Sequence, residues 1–187
     1  MTKKALVLIT DGSEEMEAII TIDVLRRAKI DVLVASFGVN ATSVECSRGV
    51  RIVPDTKLEG ITNHDQYDAI VIPGGAQGAK TLSEAPLVQQ LLLRYYQMDK
   101  VVAAICAGSL AIKSAKIAKN EKLTSHPSVK DQLTDSYDYQ EKRVVVANNL
   151  ITSRGPGTTF EFALAIVEKL VGKEVVDSIA PPMILHE

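Results

Sequence analysis

The sequence has 187 residues, of which 46% are apolar and 24% charged, with a formal net charge of −2. That length can bury a core without metals or disulfides, and the near-neutral charge argues against an electrostatic nucleic-acid binder. Two cysteines, Cys46 and Cys106, do not make a disulfide framework, so a reducing intracellular compartment is expected.

No apolar run approaches the ~18 residues of a membrane helix. The stretch 5–9 is too short for a signal peptide. Read in chain order, residues 5–9 form a short buried strand that ends in the polar turn Thr10-Asp11-Gly12-Ser13. A helix is expected over 14–28, with Ser13 as its cap and Glu14, Glu15 and Glu17 at its electropositive start. A second strand covers 30–37. The polar, β-branched stretch 38–60, broken by Gly49 and Pro54, reads as short edge strands or a hairpin.

A third buried strand, 69–72, stops at Pro73-Gly74-Gly75. A helix follows over 85–98 with Pro86 in its first turn. Strand 101–105 runs directly into Cys106, and a helix is expected over 107–118. The segment 120–140 is polar and irregular, with one short helix at 127–133. Strands 144–147 and 150–152 form a hairpin across Asn148-Asn149, and a helix over 158–170 is closed by Gly172. Strands alternating with helices predict a mainly parallel sheet covered on both faces, in one domain spanning 1–187. Ligands in such folds sit at the carboxyl ends of strands. That places the loops 10–17, 73–78 and 106–109 together.

Cys106 ends an apolar strand among small residues, Ala103-Ala104-Ile105-Cys106-Ala107-Gly108-Ser109. A nucleophile on a sharp strand-to-helix turn has this pattern, and a helix start lowers a thiol pKa below ~8.5. A buried structural cysteine has the same local sequence. The backbone of Gly74 and Gly75, with the N–H of Ala107, either holds an oxyanion or simply makes an ordinary strand-ending turn. Two of the three glutamates are expected to face solvent, and the third to turn inward and stay protonated; spacing does not say which. His126, in Ser125-His126-Pro127, is either a base or orienting group, or a capping histidine. His64 and His186 are bland, and Cys46, on an edge strand, reads as structural or as part of an interface. No close ligand spacing points to a metal.

Seven stretches together carry a specific resemblance. They are Gly12-Ser13-Glu14-Glu15-Met16-Glu17, Asp23-Val24-Leu25-Arg26-Arg27-Ala28, Cys46-Ser47-Arg48, Pro73-Gly74-Gly75, Ala103-Ala104-Ile105-Cys106-Ala107-Gly108, Ser125-His126-Pro127, and Thr152-Ser153-Arg154-Gly155-Pro156-Gly157-Thr158. On these residues the chain resembles the parkinsonism-associated deglycases of the DJ-1/PfpI superfamily along nearly its whole length.

The resemblance implies a flavodoxin-like three-layer sandwich with a small edge hairpin, assembled as a homodimer and using no metal or organic cofactor. It implies that Cys106 is the reactive, oxidation-sensitive thiol, that Glu17 is the inward carboxyl, and that His126 is the active-site histidine. Gly74, Gly75 and Ala107 would line the oxyanion site, with Arg27 and Arg48 near the pocket and interface. The implied activity is a cysteine-dependent, cofactor-free glyoxalase or deglycase acting on methylglyoxal and glycated protein adducts. The alternative is a redox-sensing stress protein or chaperone working through oxidation of Cys106. No membrane or sequence-specific nucleic-acid partner is implied. The expected location is cytoplasmic, with the nucleus or mitochondrion as alternatives.

Three positions depart from the family pattern. Ser109 stands where a proline is common, Val53 where some relatives have an interface cysteine, and Lys29 where a helix-ending glycine is common. Ala107 replaces the histidine that follows the nucleophile in related intracellular proteases. No His-x-Glu follows position 150, as a glutamine amidotransferase would require.

Overall fold

The computed structural model describes residues 2–185, so His186 lies outside the described residues. In chain order the elements are β1 (Lys4–Ile9), α1 (Glu15–Arg27), β2 (Asp31–Ser36), β3 (Val44–Glu45), β4 (Arg51–Ile52), β5 (Thr56–Lys57), β6 (Ala69–Ile72), α2 (Ala76–Glu84) and α3 (Pro86–Gln97). Then come β7 (Val101–Ile105), α4 (Leu110–Ser114), β8 (Lys122–Leu123), β9 (Asp138–Tyr139), β10 (Val144–Ala147), β11 (Leu150–Ser153), α5 (Thr159–Val171) and α6 (Lys173–Ile179).

Seven strands form one sheet in the order β10-β11-β7-β6-β1-β2-β5. Every pairing in it is parallel except the β10–β11 hairpin. The expected three-layer α/β sandwich is therefore present. Each central strand feeds both layers because its side chains alternate. Leu6, Leu8, Ile70, Ile72 and Val102 pack with Leu82, Leu92, Tyr95 and Ile112 on the α2–α4 side. Ala5, Val7, Ile9, Val71 and Ala103 pack with Val24, Leu25, Phe162 and Ile166 on the α1–α5 side. Both faces are buried, which is why these strands read as continuous apolar runs.

Several local expectations differ from the structure. Glu14, not Ser13, caps α1: its side chain accepts from the Glu17 N–H. Ser13 Oγ instead accepts from the Thr10 N–H at 3.0 Å and closes the preceding turn. The stretch after Gly75 is a helix, α2, rather than only a loop. The helix after Cys106 begins as a 3-10 turn over Cys106–Ser109 and ends at Ser114, because Lys116 and Ala118 adopt left-handed backbone. The segment 120–140 contains the small parallel pair β8–β9. The edge hairpin β3–β4 forms its own two-stranded sheet, while β5 joins the main one.

Candidate active site

The order β7-β6-β1-β2 brings the loops after β1, β6 and β7 to one edge of the sheet. Contacts between backbones lock them together. The Glu14 N–H donates to the Gly74 carbonyl at 3.0 Å. Gly75 sits at φ +86, and a Cβ there would collide with the Gly12 carbonyl oxygen and lie 2.7 Å from Glu14 N. A side chain at Gly74 would lie 2.6 Å from Cys106 Cβ and 2.7 Å from Glu17 Oε2. Only glycine lets the β6 loop pass between the thiol and the carboxyl at that distance.

Cys106 itself has φ +62, a left-handed conformation that is unusual for a residue with a side chain. Strained backbone at the end of a buried strand is a feature of held nucleophiles. Glu17 is fully buried, and the same added Cβ at Gly74 would touch both its Oε2 and the Cys106 sulfur, at 2.7 and 2.9 Å. Its Oε2 accepts from the Gly74 N–H at 2.6 Å. That bond corrects one expectation: the Gly74 N–H is committed to Glu17, not free for an oxyanion. The backbone N–H groups of Ala107 and Gly75 are the ones that oppose the rise of the Cys106 thiol.

Burial pushes the Glu17 carboxyl up to about 7, against the pull of the Gly74 N–H and the Cys106 thiol. Burial, then the Glu17 charge, pushes the Cys106 thiol up to about 12, opposed by the Ala107 and Gly75 N–H groups. The expected lowering of the thiol pKa is therefore reversed, by burial first and by the Glu17 charge second. The pair shares one negative charge: a thiol beside a carboxylate, or a thiolate beside a carboxylic acid. The second arrangement is nucleophilic, and Glu17 then holds a proton to donate.

All three glutamates are buried, which overturns the expectation that two face solvent. Glu14 caps α1. Glu15 accepts from Ser47 Oγ and the Arg48 N–H, each at 2.8 Å, and anchors the turn that carries Arg48. Burial alone would raise the Glu15 carboxyl. Hydrogen bonds from its own backbone, Ser47, Arg48 and Val50 hold it below the ordinary carboxylate value.

A cleft of about 350 Å3 opens over Cys106, lined by Glu14, Met16, Arg48, Gly75, Ala107 and His126 among others. His126 both caps and lines. Its ring Nδ1 accepts from the Ser128 N–H at 3.2 Å, which leaves Nε2 as the protonated nitrogen of the neutral ring. In that tautomer His126 can donate a hydrogen bond from Nε2. Arg48 lines the cleft, with Nη1 on the Ser47 carbonyl. Arg27 does not: it pairs with Asp23 on the exposed side of α1. His64 Nε2 lies 3.4 Å from the Leu58 carbonyl oxygen, outside the cleft. Of the other lining residues, Met16, Ser47 and Pro156 fall in the stretches that carry the resemblance but had no role read for them, and Ala76 and Ser128 were not marked individually, although each adjoins or closely follows a residue that was. Among the described residues, no three His, Cys, Asp or Glu side chains converge to hold a metal.

Glu17 gives a pH-dependent stability prediction. Its folded value of about 7 lies above the ordinary 4.5, so the native state holds a proton that the unfolded chain loses between those values. The stability this contributes is fully present below 4.5 and is lost as pH rises through about 7. Over that window, urea unfolding of wild type should lose of the order of 3 kcal/mol relative to Glu17→Gln, which cannot ionise. Parallel pH profiles for the two proteins would contradict the assignment.

Comparison with known proteins gives one family throughout. The DJ-1/PfpI family model matches residues 3–169. The chain is 46% identical over 187 residues to the Parkinson disease protein 7 homolog of Danio rerio, covering 99% of this chain and 98% of that one. It is 42% identical over 185 residues to the glutathione-independent glyoxalase DJR-1.2 of Caenorhabditis elegans, covering 98% and 97% of the two chains. Among solved structures, Drosophila melanogaster DJ-1beta matches with a TM-score of 0.94 at 46% identity, over 100% of both chains.

Proposed function

The chain belongs to the DJ-1/PfpI family, and from that premise we propose that it is a cofactor-free glyoxalase whose nucleophile is Cys106. The observation that carries this reading is the buried Glu17 carboxyl against the thiol of a backbone-strained cysteine at the floor of a small cleft. The similarity to a protein named as a glutathione-independent glyoxalase supports the substrate class.

In this mechanism the Cys106 thiolate attacks the aldehyde carbon of methylglyoxal. A C–S bond forms, the carbonyl π electrons move to oxygen, and Glu17 delivers the proton that completes the hemithioacetal. The N–H groups of Gly75 and Ala107, which line the cleft beside Cys106, hold the developing oxyanion. Glu17, now a carboxylate, removes the proton from that carbon to give an enediolate and returns it to the neighbouring carbon, while the hydroxyl proton of the first carbon passes to the oxygen of the second. The product is a lactoyl thioester, and water releases lactate and the thiol. Oxidation of one carbon is matched by reduction of its neighbour, so no external redox partner is needed. His126, as an Nε2–H donor, and Arg48 orient the second carbonyl. Deglycation follows the same course once the hemithioacetal or aminocarbinol that methylglyoxal forms with a thiol or amine expels that thiol or amine and regenerates the aldehyde for Cys106 to attack.

The test is lactate formation from methylglyoxal without glutathione, with wild type beside Glu17→Gln. Wild type should turn over, while the variant binds aldehyde and releases no lactate. Equal turnover by both would remove Glu17 from the mechanism.

A second reading, redox sensing at Cys106, is favoured by the contrast between the two cysteines. Both thiols are pushed up, Cys46 to about 11 by burial and by Glu15, Glu14 and Asp11, so the contrast is one of access: Cys46 is buried and Cys106 is part-exposed. Cys106 opens on the cleft, beside a carboxyl able to bond an oxidised sulfur. Mild peroxide should give sulfinate at Cys106 well before Cys46 by mass spectrometry, and equal modification would contradict this reading.

The homodimer belongs to the same proposal. Met16 and Ile19 on α1, with Val50 and Val53 beside the hairpin, leave large apolar side chains exposed, Val53 by 74%. The bonds from Glu15 to the Ser47–Arg48 turn hold these two elements together. A second copy covering this face would bury it. Ile19→Asp should shift sedimentation from dimer to monomer; a wild-type sedimentation coefficient would place the interface elsewhere.

A further inference from the structure

Two buried polar atoms on the inner face of α1 lack partners: Glu17 Oε1 and Thr21 Oγ1. Both residues are fully buried. They stand one turn apart, at the i and i+4 positions whose side chains are neighbours on a helix. Orphaned buried oxygens are costly, and two of them side by side are satisfied by one shared hydrogen bond. A threonine hydroxyl has two accessible rotamers in a helix and can act as donor or acceptor.

We propose that Thr21 is a positioning residue for the reactive pair, its hydroxyl bonding Glu17 Oε1 directly or through one buried water and favouring the ionised carboxyl. A hydroxyl bonded to a carboxylate makes a charge-assisted bond, stronger than the one it makes to the neutral acid. Thr21 therefore biases the shared proton toward the sulfur and restrains Cys106. The other groups around Glu17 leave this role open. Cys106 and Glu14 are the titratable groups acting on it. The buried face of α5, which packs on α1, offers Thr159, Phe162, Ala163, Ile166 and Val167, none of them titratable. The flanking strands β1, β6 and β7 contribute only buried aliphatic side chains at this layer.

The inference bears on catalysis only through the proposed role of Cys106, but its test does not need turnover. The rate of Cys106 alkylation by iodoacetamide reports the thiolate–carboxylic acid form. That form grows with pH until Glu17 ionises, then its rate levels off. In Thr21→Val the carboxylate loses its donor, so the plateau should begin about one pH unit higher than in wild type. Rates should coincide below about pH 6 and differ by up to about tenfold near pH 9. Thr21→Ser, which keeps the hydroxyl, should follow wild type. The proposal is overturned if Thr21→Val superimposes on wild type, levels off earlier, or changes by one factor at every pH, or if Thr21→Ser shifts as far as Thr21→Val. If the protein forms no lactate while the plateau still moves, the glyoxalase reading fails and this inference stands.

Discussion

Lactate formation from methylglyoxal is expected to fall by about a thousandfold or more in Cys106→Ser, with the fold intact. The serine hydroxyl fits the same strained turn but ionises far less readily than a thiol. Glu17 accepts from the Gly74 N–H, and even at its raised value of about 7 it leaves an alcohol, far less acidic than a thiol, almost wholly un-ionised. Circular dichroism and urea unfolding should match wild type. Turnover within tenfold of wild type would mean that the sulfur is not the nucleophile.

The largest effect on the scaffold is expected at Gly75→Ala. Two costs combine there: the left-handed φ of +86, and a Cβ driven into the Gly12 carbonyl and the Glu14 N–H. Those atoms belong to the loop that starts α1, so relieving the clash moves Glu17 away from Cys106. Stability should drop by more than about 3 kcal/mol, and activity should disappear with it. Gly49→Ala is the informative control. Its φ of +84 is nearly the same, but nothing lies within 4 Å of the added Cβ. It should cost only about 1 kcal/mol and leave activity unchanged. Equal losses at the two glycines would show that backbone strain, not the interlocking of the loops, sets the cost.

The sheet was legible because its strands are buried on both faces. The runs 69–72 and 101–105 were read with the bounds that the structure shows. The sharp turn at Cys106 and the convergence of three loops followed from alternation of strands and helices. Other features have no strong local signal. The nine-residue helix α2 begins directly after Pro73-Gly74-Gly75 and contains Gly78, so punctuation outweighed periodicity. The shortening of the helix after Cys106 depends on left-handed turns at Lys116 and Ala118, residues that do not announce that conformation. The seven-residue helix α6 follows Gly172, which reads as a stop.

At the site, residue identity was easier to read than role. Glu17 was singled out only by family resemblance, since three neighbouring glutamates look alike. The structure separates them by partner: Glu14 on the Glu17 N–H, Glu15 on Ser47 and Arg48, Glu17 on Gly74. The diversion of the Gly74 N–H and the direction of the thiol's pKa shift both come from contacts between segments distant in sequence. Arg27 shows the converse case, a residue marked by resemblance that the helix directs to solvent and to Asp23.

The most direct test of the account follows the sulfur through one turnover. Methylglyoxal mixed with excess protein, without glutathione, is quenched over time and measured by intact mass and lactate. The account predicts one methylglyoxal-sized adduct, mapped to Cys106, that decays as lactate appears. Lactate accumulating with Cys106 unmodified throughout, or an adduct that persists without lactate, would contradict it.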